Sequence, residues 1–177
     1  MIRAWCLMAA SILTASAYGQ IGPEPMMTAP VKDDVAPWSE EAIDLPAYPK
    51  EEELIEFPVS AGTRNRFYVD GASLRPGTDG VVRYALVIRT SGGATNVTYE
   101  GIRCATGEYR IYATGRSNKT WSRNRLSTWR EIENKRANRH HAALKRELFC
   151  PLGVPIRDAE EGRSALRRGW HPSADID

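Results

Sequence analysis

Between Arg66 and Gly115 the sequence repeats one pattern four times: a run rich in β-branched and aromatic residues, then a turn. The clearest run is VVRYALVIRT. Val82, Tyr84, Leu86 and Ile88 fall on one side of it, and Val81, Arg83, Ala85, Val87 and Arg89 on the other. Alternation with period two is the mark of a β-strand. RFYVD precedes it, and TNVTYEGIRC and EYRIYATG follow. The connections Pro76-Gly77-Thr78-Asp79-Gly80, Ser91-Gly92-Gly93-Ala94 and Ala105-Thr106-Gly107 are short and glycine-rich, so successive strands pair antiparallel. LIEFPVS, from Leu54, is a further short strand candidate. The chain is therefore expected to build an antiparallel meander of four to five strands.

Such a sheet needs a cover. The stretch ENKRANRHHAALKRELFCP supplies one. At 3.6 residues per turn, Ala137, His141, Leu144 and Leu148 share one stripe. Arg136, Arg139, Arg146 and Glu147 lie opposite, His140 sits on the flank, and Pro151 stops the helix. The expected architecture is α+β: one main helix over about 134–148, packed on the meander. Its inward face comprises Tyr84, Leu86, Ile88, Ile102, Ile111, Leu144 and Leu148. Residues 152–177 read as a tail with a short helix, begun by Asp158 with Glu161 three positions on and ended at Gly169.

The N-terminus places the chain in a compartment. Arg3 precedes an apolar run from Ala4 to Leu13, and the small residues Ala15-Ser16-Ala17 and Gly19 follow. That order is a secretory signal peptide, assigned to residues 1–19. The run is too short to cross a bilayer core of about 30 Å, so no transmembrane segment is expected after cleavage. Cys6 belongs to the signal. Cys104 and Cys150 remain, an even pair in an exported chain, and a disulfide is the default reading. Closing a loop of about 47 residues contributes about 4 kcal/mol in the chain-entropy model.

Residues 20–50 hold six prolines and no period, which describes an extended arm. The arm is acidic. Residues 20–62 carry ten acids and two bases, whereas residues 63–177 carry twelve acids and twenty-one bases. Opposite charge on one chain suggests that the arm packs on the body. Trp38 is the anchor such a segment would use.

Three kinds of chemistry are weighed. Adjacent histidines on a helix point about 100° apart, so His140 and His141 do not converge on one metal ion, and the zinc spacing of His at i and i+4 is absent. No G-x-S-x-G elbow occurs, and the glycines of the turns make no phosphate loop. No catalytic, metal or cofactor-binding set is assigned and no cofactor is expected. His141 is read as a structural residue facing the sheet and His140 as its flank; the alternative is a periplasmic enzyme using either as an acid–base or ligand residue. The most distinctive charge feature is the basic loop 116–130, where Arg123, Arg125 and Arg130 alternate with Trp121 and Trp129. Bases interleaved with aromatics suit nucleic acid, but export disfavours that partner. An anionic ligand or an envelope protein is expected instead.

LPAYPKEEELIEFPVS, GVVRYALVIRTSGGATNVTYEGIRC and WREIENKRANRHHAALKRELFCP together resemble the cryptic neisserial protein 1-like family of exported Gram-negative proteins. The resemblance runs from about Trp38 to Pro151 and implies a periplasmic or surface location. It brings no activity with it. The working organisation is a signal peptide (1–19), an acidic proline-rich arm (20–50), the family domain (51–151) and a C-terminal tail (152–177). The functional expectation is a non-enzymatic binding or envelope-interaction module.

Overall fold

A computed structural model describes residues 37–59, 62–133, 135 and 139–174. The expected signal peptide and the first part of the arm lie outside the described residues. The strands are β1 (Leu54–Phe57), β2 (Arg66–Pro76), β3 (Val81–Arg89), β4 (Thr95–Arg103), β5 (Glu108–Gly115), β6 (Trp121–Arg123) and β7 (Arg130–Glu131). They form one antiparallel sheet in the order β1-β2-β3-β4-β5-β6, with β7 pairing β5 beyond β6. The meander is as the alternation requires.

The count of seven corrects the expected four to five. β6 and β7 fall inside the segment read as a loop. They are three and two residues long, too short to show alternation, and they share one edge of β5. β2 also runs further than RFYVD. Its second half carries Gly71 and Ser73 and ends at Pro76, the first residue of the expected turn. The strand survives because the register shifts between Asp70 and Arg75. Ser73 Oγ then accepts the Ala85 N–H at 2.8 Å and so repairs the ladder with a side chain.

The helical cover is corrected too. Among the described residues α1 spans Arg139–Ala143 and continues as a π-helical turn over Leu144–Phe149, where Cys150 N–H donates to Lys145 O at 3.0 Å. The wider turn directs Leu144, Leu148, Phe149 and Cys150 inward together, all at most 4% exposed. Residues 134 and 136–138, the expected helix start, lie outside the described residues. A second helix of comparable size, α2 (Ala159–Arg168), packs on β1 and β2. Asp158 caps it, its side chain accepting the Glu161 N–H at 2.8 Å, and Gly169 ends it in the left-handed region with φ 81.

The main core lies between the sheet and these helices. Tyr84, Leu86, Ile102, Leu144 and Leu148 are fully buried there, with Ile88 and Ile111 packed at its margin. Cys104 at the end of β4 is bonded to Cys150, with Cα atoms 5.4 Å apart. The disulfide fastens the end of the π turn to the sheet.

The opposite face of the sheet is also covered. Residues 38–50, which have no helix or strand of their own, lie across it. Ile43 and Leu45 pack on Ala85, Tyr99, Tyr112 and Ala113, while Tyr48 packs on Tyr68, Val87 and Val97. The outer residues of β3 are therefore interior: Arg83 is 3% exposed and Val87 3%.

Candidate functional site

Two clusters carry the residues singled out above. The first is the histidine pair. It sits in the first turn of α1, which sets the rings side by side, with centroids 4.1 Å apart. His141 points at the sheet. Its Nε2 lies 2.7 Å from Glu100 Oε2, and its ring stacks on Tyr109 at 3.9 Å. Glu100 is 2% exposed. Thr98 Oγ1 donates to it at 2.7 Å and Tyr84 OH at 3.3 Å. Burial pushes the Glu100 carboxyl up, but the His141 imidazole, with hydrogen bonds from His141 and Thr98, outweighs burial and holds it below the usual range. His141 Nδ1 is buried without a partner among the described residues.

His140 stacks on Phe67 at 5.4 Å and lines a cleft of about 530 Å³ with Arg64, Asn65 and Asn96. Burial, and then the charge of His141, lower its pKa to about 4. The ring is uncharged at neutral pH.

This arrangement differs from the carboxylate–imidazole relay of a catalytic triad. In a relay the buried carboxylate bonds the same imidazole that meets the substrate. Here Glu100 bonds His141, which is 3% exposed, and His140 meets His141 ring to ring at a 40° tilt. Among the described residues no group of three or more His, Cys, Asp or Glu side chains is placed to hold a metal ion.

Sequence reading named both histidines but missed Glu100. The signal was present: Thr98, Glu100 and Ile102 alternate on the inward side of β4, so an acid stood at a core position opposite the helix.

The second cluster is the basic, tryptophan-bearing segment 116–130. The structure divides it. Trp121 is half-buried, meets the rings of Tyr48 and Tyr99 at a tilt, and donates from Nε1 to Pro46 O at 2.9 Å. Arg123 Nη1 donates to Ile43 O at 3.3 Å. Both hold the arm. Trp129 meets Trp38 edge-on at 6.0 Å and Tyr112 at 6.4 Å. Arg125 and Arg130 are exposed, and Leu126 between them is 93% exposed.

The arm's acids find their partners elsewhere on the sheet. Glu40 accepts from Arg110 Nη1 at 2.6 Å and from Tyr112 OH at 2.7 Å. Glu41 accepts the Thr78 N–H at 2.7 Å, and the two Thr78 hydrogen bonds lower its pKa. Asp79 Oδ1 accepts from Arg83 Nη1 at 3.0 Å, and Asp79 Oδ2 accepts the Glu41 N–H at 2.9 Å. Trp38 donates to Asp79 O at 2.8 Å, with the Arg103 guanidinium 3.9 Å from its ring centre. Charge complementarity thus operates between the arm and β3–β5, leaving the bases of 116–130 unmatched.

Fold and clusters together define a small α+β protein with a two-sided sheet and a Cys104–Cys150 disulfide. The CNP1-like family model matches residues 33–167, and the chain belongs to that family. It is 31% identical over 107 residues to Cryptic neisserial protein 1 of Neisseria gonorrhoeae (strain ATCC 700825 / FA 1090), a match covering 53% of this chain and 52% of that protein. The chain thus spans about half the length of that relative. No solved structure matches the chain.

Proposed function

We propose that this protein is exported to the periplasm or cell surface and works there as a binding module for an anionic partner, not as an enzyme. One observation carries the reading. The fifteen residues 116–130 contain five bases and no acid, and among the described residues none of those bases is in an ion pair. A solvated face ordinarily mixes both signs. A single-sign patch steers and orients an oppositely charged partner. Leu126, fully displayed in the middle of it, adds an apolar contact that solvent does not reward. Export is supported by the apolar N-terminal run and by the cystine, which persists in oxidising compartments. Among the described residues no helix is long and apolar enough to cross a membrane.

Arg125 and Arg130 make the cleanest test, because neither holds the arm. The double change Arg125→Glu with Arg130→Glu is expected to abolish capture of a partner from envelope extracts and to leave the melting temperature unchanged. Capture at the wild-type level would reject the proposal.

A further inference from the structure

The hairpin between β5 and β6 closes through Arg116 N–H to Thr120 O at 2.8 Å and Lys119 N–H to Arg116 O at 2.9 Å. That turn requires a left-handed residue at position 119, where Lys119 has φ 61. The turns before β3, β4 and β5 place Gly80, Gly93 and Gly107 at their positive-φ positions. A residue with a β-carbon costs about 1–2 kcal/mol there. Lysine is thus unfavourable for the turn itself, and strain of this kind points to what the side chain faces.

Lys119 lines a cleft of about 650 Å³ on the arm-covered side of the sheet. That volume falls within the range of about 300–1,000 Å³ typical of small-molecule sites. Its wall includes Tyr48, Leu54 and Val97, which belong to the apolar packing of this face. Its bases include Lys50 from the arm and Arg116 and Lys119 from the hairpin. None of these three is ion-paired among the described residues; the Arg116 guanidinium donates to the neutral Ser122 Oγ, at 3.0 Å. The one acid of the lining, Glu51, is already held by Arg89 at 2.7 Å. The cleft therefore combines an apolar wall with an unneutralised triple positive charge.

We infer that this cleft binds a single anionic amphiphile, its phosphate or carboxylate head among Lys50, Arg116 and Lys119 and its aliphatic stem against Tyr48, Leu54 and Val97. Both parts of the ligand are needed. A free inorganic anion leaves the apolar wall wet, and a neutral hydrocarbon leaves three cations unmatched. The inference rests on the binding-module reading and names its ligand class.

Calorimetric titration of the purified protein tests it, with dodecyl phosphate and laurate below their micelle concentrations as the two head chemistries. Inorganic phosphate and dodecyltrimethylammonium are the controls. At least one of the two amphiphilic anions is expected to bind, and each control at least tenfold more weakly. The decisive variant is Lys119→Gly, which relaxes the turn while removing a cation. Its melting temperature should hold or rise while affinity falls. With Lys50→Gln added, affinity should fall about tenfold, two exposed ion pairs being lost. Wild-type affinity in that double variant, or equal binding of a control, would overturn the inference. If neither anion binds while capture through Arg125 and Arg130 persists, the amphiphile inference alone falls. Loss of both removes the parent reading as well.

Discussion

On one face of the sheet the cover is two helices and a disulfide; on the other it is thirteen residues of irregular chain, 38–50. The helical side is mostly apolar, with the buried Glu100–His141 pair set in it and His171 buried beside Glu161. The arm side interleaves Ala85, Val87 and Tyr99 with Arg83 and Arg110, and the arm brings Glu40 and Glu41 to meet them. Its satisfaction is less complete. Of the four buried side-chain atoms without a partner among the described residues, Tyr68 OH, Arg83 Nε and Arg110 Nε belong to the arm side and only His141 Nδ1 to the other. The comparison teaches that the two covers do different jobs. The helical face holds the larger apolar core, and the arm face carries charge and the unmatched bases. Stability changes should therefore be large on the first face and small on the second.

The largest expected effect is on the staple. Replacing Cys104 and Cys150 by Ala, or reducing them, should cost about 4 kcal/mol, read as a lower denaturant midpoint. Against a total of about 5–15 kcal/mol for a small domain that is a large share. An unchanged midpoint with a confirmed reduced pair would show that packing alone holds the π turn.

Next comes His141→Ala. It leaves Glu100 buried without its main partner, and removing one member of a buried pair costs about 3–5 kcal/mol. The lower end is expected here, because Thr98 and Tyr84 still donate to Glu100. A loss under about 1 kcal/mol, the scale of an exposed pair, would place the pair in contact with solvent.

The arm side should respond less. Glu40→Ala removes one acceptor from both Arg110 and Tyr112. The expected loss is about 1–2 kcal/mol, with proteolysis appearing first within 38–50 while the sheet stays intact. A loss as large as that at His141 would erase the distinction between the faces.

The same contrast sets what the sequence could reveal. VVRYALVIRT announced a strand and its inward side, since Tyr84 and Leu86 alternate without exception. It could not announce that the outward side is interior too. Arg83 reads as solvent-facing until Asp79 and the arm close over it, and that closure depends on contacts forty residues apart. The acid-rich arm and base-rich body did signal the attraction, without its register. Glu100 was visible as an acid at an inward position but lacked meaning without His141 opposite, because strand and helix meet only in three dimensions. β6 and β7 were invisible because a two- or three-residue strand is defined by its neighbour and has no pattern of its own.

The last expected effect is one of pH, and it arises on the helical face. His140 has its pKa lowered to about 4 from an ordinary 6.5, and Glu100 is also held below its ordinary range. In both cases the unfolded chain takes up a proton before the folded one does. Stability therefore rises with pH wherever the two states differ in bound protons. His140 contributes fully above about 6.5, and its share is lost as pH falls toward 4. Glu100 adds its loss at lower pH. The melting temperature should accordingly decline between pH 6.5 and 4 before the general acid transition begins. His140→Phe keeps a ring on Phe67 and His141 but cannot take a proton. It should flatten that decline while leaving the fall due to Glu100 in place. An identical pH profile in the variant would mean that His140 titrates freely, open to solvent, and that its ring contacts with Phe67 and His141 are looser than the burial of α1 requires.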